Sequence, residues 1–162
     1  MALADVWSFL EALPTSQAIA SGVLFPWIES IHVLALVVVV GTIAMVDLRL
    51  LGFRAHERGV RHLIREVLPY TWVGFGFALA SGFLLFASSA STYAENIAFR
   101  FKICLLLLAG ANMLYFHLLP YRSVHLWDDL VHPPLRARIA GGVSLCCWIG
   151  VVAFGRWIGF IQ

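Results

Sequence analysis

Charged side chains are scarce. They make up 12% of the 162 residues, against about 25% in an average soluble domain. With 61% of residues hydrophobic, an ordinary water-soluble domain is excluded and the chain reads as a membrane protein. A net charge of +2, carried by arginines close to the ends of apolar runs, gives no surface for nucleic acid. Cysteine is thin too. Cys104, Cys146 and Cys147 are odd in number, lie inside apolar runs and lack C-x-x-C spacing, so they are expected to be packing residues. Three methionines make no copper path, and no HxxxH or HxH spacing, internal repeat or low-complexity tract is present. The opening MALADVWSFLEALP has Asp5 and Glu11, no basic start and no continuous apolar stretch, which argues against a cleavable signal peptide.

What is present is a set of long apolar runs. The stretch Trp27–Gly52 has no ionisable side chain from Val33 to Val46 but is bracketed by Glu29 and His32 on one side and Asp47 and Arg49 on the other. As a helix it would cover roughly 38 Å, enough to cross a hydrocarbon layer of about 30 Å. The expected fold is an all-α four-transmembrane-helix bundle in a single domain over 1–162, with spans at 24–52, 66–90, 96–119 and 135–160. Length leaves no room for a second domain of ordinary size.

Residues 3–13 set Val6, Phe9, Leu10 and Leu13 against Asp5 and Glu11, the pattern of a short surface helix, and Pro14 stops it. Gly74, Gly76 and Gly82, with Ala78, Ala80 and Ser81, are small residues that let helices approach in lipid and would also serve a homodimer. The first connector, with Arg54, His56, Glu57, Arg58, Arg61, His62, Arg65 and Glu66, reads as solvated. SSASTYAEN reads as a turn, and a surface helical turn is expected around Leu126–Leu130. Trp27, Trp72, Trp127 and Trp157 fall near span ends, where aromatic belts form, and Trp148 is mid-span. Eight arginines (49, 54, 58, 61, 65, 122, 136 and 138) lie where span one ends and span four begins. By the positive-inside rule that side is cytoplasmic and both termini are periplasmic, in a bacterial inner membrane.

Spans one and three share a layout: His32 and Asp47, then Lys102 and His117, each pair fifteen positions apart. The two helices run parallel, so His32 and Lys102 should lie level, with Asp47 and His117 at a second depth about 22 Å away. Ionisable groups in lipid are costly unless they face the bundle interior, a cavity or a partner. His32, with Glu29 one turn before it, forms an outer group with Lys102 and Arg156. An imidazole in an apolar bundle is a good axial ligand for haem iron, and Lys102 and Arg156 would hold propionates or an anionic substrate. The plainer alternative has His32 bonding a neighbouring helix and Lys102 snorkelling to the interface. An inner group, His117 with His62, offers a second haem or copper site, with His125 and His132 beyond it; solvated loop histidines are the alternative. Asp47 and Arg49 do not face each other on a helix and are expected in salt bridges with other segments, among them Arg54 and Arg138.

His32 followed by LALVVVVGTIAMVDLRLLG, and the third-span run FRFKICLLLLAGANMLYFH, resemble the opening and lysine-bearing helices of the HemJ-type protoporphyrinogen oxidases and the CopD-type copper-resistance proteins. The first resemblance implies haem b at His32 and Lys102. The second implies copper handling, for which the residues themselves offer His32 with other outer-side groups, or His117, as metal ligands. The chain departs from both patterns, since Phe53 and Arg54 stand where a second histidine follows the first-helix arginine. The expectation is a haem b-binding protein of electron transfer or redox chemistry, an oxidoreductase activity being open, with the lipid bilayer and a quinone or periplasmic protein as partners. The alternatives are copper handling and a cofactor-free anchor for a periplasmic partner.

Overall fold

Each long helix begins and ends where its sequence forces it to. Pro26 stands in the first turn of α3 (Phe25–Leu50), where its missing N–H leaves no intrahelical bond unmade. At the other end Gly52 adopts φ +100°, a conformation that costs glycine little. Its N–H donates to the Arg49 carbonyl and that of Phe53 to the Leu48 carbonyl, a Schellman closure that satisfies two otherwise orphaned groups. Asn96 caps α6 (Ile97–Leu118), its side-chain oxygen accepting from the amides of Ala98 and Phe99.

The computed structural model describes residues 3–53, 59–128, 130 and 133–160. Arg54, His56, Glu57 and Arg58 of the first connector and His132 of the second lie outside the described residues. The other helices are α1 (Leu3–Glu11), α2 (Pro14–Ala20), α4 (Val60–Ala87), α5 (Ala90–Glu95) and α7 (Leu135–Trp157), with a 3₁₀ helix over Pro120–Leu126. No strand occurs among the described residues. Helices α3, α4, α6 and α7 are each long and apolar enough to cross a membrane. The protein is thus an all-α four-helix membrane bundle with a short N-terminal helix, and it is multi-pass. Leu34 and Leu107 are 67% and 70% exposed, which is tolerable only if lipid is the solvent around them.

Two antiparallel pairs, α3 with α4 and α6 with α7, meet through α3 and α7, while the backbones of α4 and α6 stand apart and only side chains at their ends meet. Small residues decide the close approaches. A Cβ on Gly74 would fall 3.1 Å from Val39, and one on Gly141 would fall 3.0 Å from the Leu50 Cβ and 3.1 Å from the Asp47 carbonyl oxygen. Gly74 and Gly82 of the expected small-residue stripe therefore face α3 within the chain, whereas Gly76 has open space around it.

Several boundaries differ from those expected. Helix α4 starts at Val60, about two turns earlier, because its charged first turns extend past the apolar core and are stabilised locally; His62 Nε2 pairs with Glu66 Oε1 at 3.0 Å, one turn on. A second short helix, α2, follows Pro14, and SSASTYAEN folds as helix α5. The helical turn of the second connector is the 3₁₀ helix, shifted towards Pro120. Trp127 is not a belt residue. It is 4% exposed and packs with Leu50, Val60, Ile64, Phe116 and Ala137, closing the end of the bundle opposite the termini. Trp27 and Trp157 are exposed near span ends, whereas Trp72, also exposed, lies near the middle of α4 because that helix starts earlier than expected.

At the termini end, α1 rests on α5. The Glu11 carboxylate accepts from the Ser91 amide (2.8 Å) and hydroxyl, and these bonds hold it below the ordinary carboxylate range. Trp7 meets Phe86 edge-on, and Phe86 stacks on Phe99 at 5.3 Å.

Candidate functional site

The separation of α4 from α6 leaves a cavity of about 740 Å³ running along the bundle and lined by all four long helices. That volume lies in the range of about 300–1,000 Å³ typical of small-molecule and cofactor sites. Its wall is overwhelmingly apolar. Polar side chains enter at two ends, with Thr42 and Thr71 between them, their hydroxyls 2.8 Å apart.

His32 and Lys102 line the termini end. The two helices run in parallel, as their depths required, and the Lys102 charge acts on the imidazole. His32 Nδ1 lies 3.0 Å from Ser81 Oγ, while the Ser81 hydroxyl donates to the Phe77 carbonyl at 2.5 Å. A hydroxyl has one hydrogen, so Ser81 accepts and His32 Nδ1 carries the proton. In the neutral ring Nε2 then keeps its lone pair. Gly82 makes room for this placement, since a Cβ there would come within 2.9 Å of His32 Cε1. Lys102 packs beside Gly155 and has no carboxylate partner among the described residues.

Asp47, His117, Asn112 and Ser144 line the opposite end. His117 Nδ1 is 2.9 Å from the Met113 carbonyl. A carbonyl only accepts, so this ring too leaves Nε2 as the lone-pair nitrogen. Asn112 Nδ2 donates to the Ala140 carbonyl at 2.9 Å. Asp47 is 4% exposed; Ser144 is its hydrogen-bond partner, and Oδ2 has none among the described residues. Among the described residues the salt bridge expected of Asp47 is replaced by a hydroxyl of α7, and Arg49 Nη2 donates to the Asp128 carbonyl at 3.0 Å. These two side chains leave α3 in different directions, as their two-residue spacing dictates.

Three of the expected site residues, His32, Lys102 and His117, therefore reach one cavity, and two do not. Arg156 is exposed, with its guanidinium over the Phe160 ring at 5.1 Å. His62 points away to Glu66 and is 63% exposed. Glu29 is exposed and acts on Tyr93, whose phenol burial and this carboxylate push up. His125 is exposed. Among the described residues no group of three or more His, Cys, Asp or Glu side chains is gathered for a metal ion. Sequence reasoning missed Ser81 and Gly82 as the elements that orient His32. Their signal was present only as part of a small-residue stripe.

A family model described as DUF6644, a family of unknown function, matches residues 7–161. No curated protein and no solved structure matches the chain.

Proposed function

The chain belongs to the DUF6644 family, and for this member we propose a haem b-binding role in the membrane, with His32 as an axial ligand. The observation that carries the reading is the placement of His32 Nδ1 against Ser81 Oγ, from which the ring's tautomer is inferred. A ligating histidine almost always donates its other ring N–H to a fixed acceptor, which sets the ring's orientation and raises its basicity. Ser81 is placed to be that acceptor, on a ring that lines a large apolar cavity. Lys102, without a carboxylate partner, suits a propionate or a second ligand position. Haem would supply one-electron transfer, and a cationic neighbour favours the reduced iron. His117, with the same nitrogen left over, is the candidate for a further ligand at the other end.

The copper alternative lacks support from geometry, since no donor cluster faces the cavity among the described residues. The proposed location is a bacterial inner membrane, and the orientation with the arginine-rich end in the cytoplasm and both termini outside is supported by Arg49, Arg61, Arg65, Arg122, Arg136 and Arg138 lying at one end of the bundle. Electron exchange with a quinone or a periplasmic protein completes the proposal.

Reduced-minus-oxidised absorption of protein purified after expression with haem supply tests it. A Soret band that disappears in His32→Ala is expected; a wild-type protein with no band, or a variant with an unchanged one, overturns it.

A further inference from the structure

We infer that the end of the cavity opposite the termini binds the hydroxylated ring of a membrane-soluble quinol, in preference to the oxidised quinone. The inference rests on reading this cavity as a redox site, and it concerns a region about 22 Å along the bundle from His32.

The argument is a count of donors and acceptors. Asp47 Oδ2 is buried without a partner, in a side chain that lines the cavity. A buried polar atom left unsatisfied is costly, so a ligand that supplies a hydrogen there gains what the empty protein forgoes. His117 has spent its N–H on the Met113 carbonyl and retains an accepting nitrogen. Asn112 has committed one N–H to the Ala140 carbonyl and keeps its oxygen. Ser144, the nearest hydroxyl, is engaged with Asp47. With Asp47 ionised, and so acceptor-only, three accepting atoms remain against a single amide N–H. A quinol carries two O–H donors and matches this set. A quinone carries two carbonyl acceptors and would face acceptors.

Access for such a ligand is lateral. Trp72 of α4 and Leu107 and Met113 of α6 line the cavity and are also exposed, so the cavity opens between those helices towards lipid. A ring seated beside Asp47 can leave its isoprenoid tail in the bilayer. No hydrogen-bonding partner is demanded along the apolar walls between the two ends.

The test measures binding, with no absorption band needed. Purified full-length protein in nanodiscs is dialysed to equilibrium at about pH 9, where Asp47 is ionised, without oxygen against decylubiquinol and, separately, decylubiquinone, with empty nanodiscs subtracted. The wild type is expected to hold the quinol at least about tenfold more tightly, the equivalent of about 1.4 kcal/mol. Asp47→Asn, which puts donors where only acceptors stood, is expected to bring the ratio close to one, and His117→Leu to reduce it several-fold. Equal or inverted affinities in the wild type overturn the inference, as does an unchanged ratio in a folded Asp47→Asn protein. If that variant fails to fold, the wild-type ratio and His117→Leu decide. Quinol preference without a Soret band would sink the haem reading alone; a His32-dependent band with equal affinities would sink this inference alone.

Discussion

The two ends of the cavity are built from the same kind of residue, an ionisable group on α3 opposite one on α6, and they solve the burial of that group differently. At the termini end the imidazole of His32 is oriented by Ser81 and seated against Gly82, so one nitrogen is fixed and the other is left over. At the opposite end Asp47 is more deeply buried but only half satisfied. A buried group whose partners are complete on one side is held in place; one whose partners are incomplete is a place for a ligand to complete them. On the proposed reading, cofactor ligation falls to the first end and recognition of a polar headgroup to the second.

The largest effect expected from breaking this contrast comes from Gly82. A side chain there collides with the His32 ring while leaving every cavity-lining polar group at the other end in place. Gly82→Val should lower haem retention by more than the roughly 10–100-fold typical of losing an outer-shell partner, and Ser81→Ala should fall within that range. Haem content per protein by absorption checks both. Equal retention in the two variants and the wild type would mean the ring is not held as described.

Gly141 tests the other end. A Cβ at this position meets the backbone oxygen of Asp47 and the Cβ of Leu50, neither of which is the tip of a flexible chain. Gly141→Leu should therefore force α3 from α7 and cost about 1–3 kcal/mol of stability, read as a lower unfolding midpoint in detergent. The absorption of the His32 end should keep its position, which separates the two ends.

The smallest effect concerns the surface contact of α1 with α5. Because Glu11 is held below the ordinary carboxylate range in the folded protein, its contribution is present above the unfolded value, about 4.3, and is lost as the pH falls through the lower, folded one. Hydrogen-exchange protection factors in α1 and α5, taken against the intrinsic rate at each pH, should fall on acidification in the wild type, and in Glu11→Gln they should be low and independent of pH. The contact is exposed and screened, so the change should be small.

Much of this arrangement was legible in the sequence, for a specific reason. His32, Lys102, His117 and Asp47 are ionisable groups isolated in apolar runs, and their fifteen-residue spacing on two parallel helices already sets two levels. What spacing cannot give is rotation about each helix axis. In a soluble helix the polar face marks the outside, but lipid is as apolar as the core, so nothing in the pattern separates Lys102, which turns inward, from Arg156, which turns out to Phe160. His62 belonged to a stretch whose charges suggested a loop, and helix α4 instead carries it outward beside Glu66. Ser81 acts on a residue 49 positions away, a relation that exists only once α4 has packed on α3. Trp127 was read from its position near a span end; its burial follows from the 3₁₀ helix folding back over the bundle.

The most direct test of a histidine-ligated cofactor in this cavity is chemical rescue. His32→Gly removes the ligand and leaves a space of its shape beside Gly82. The account predicts that the protein purified after expression with haem supply has lost the Soret band, and that added imidazole restores it in a saturable manner. A His32→Gly protein whose band has the wild-type intensity and position would contradict it.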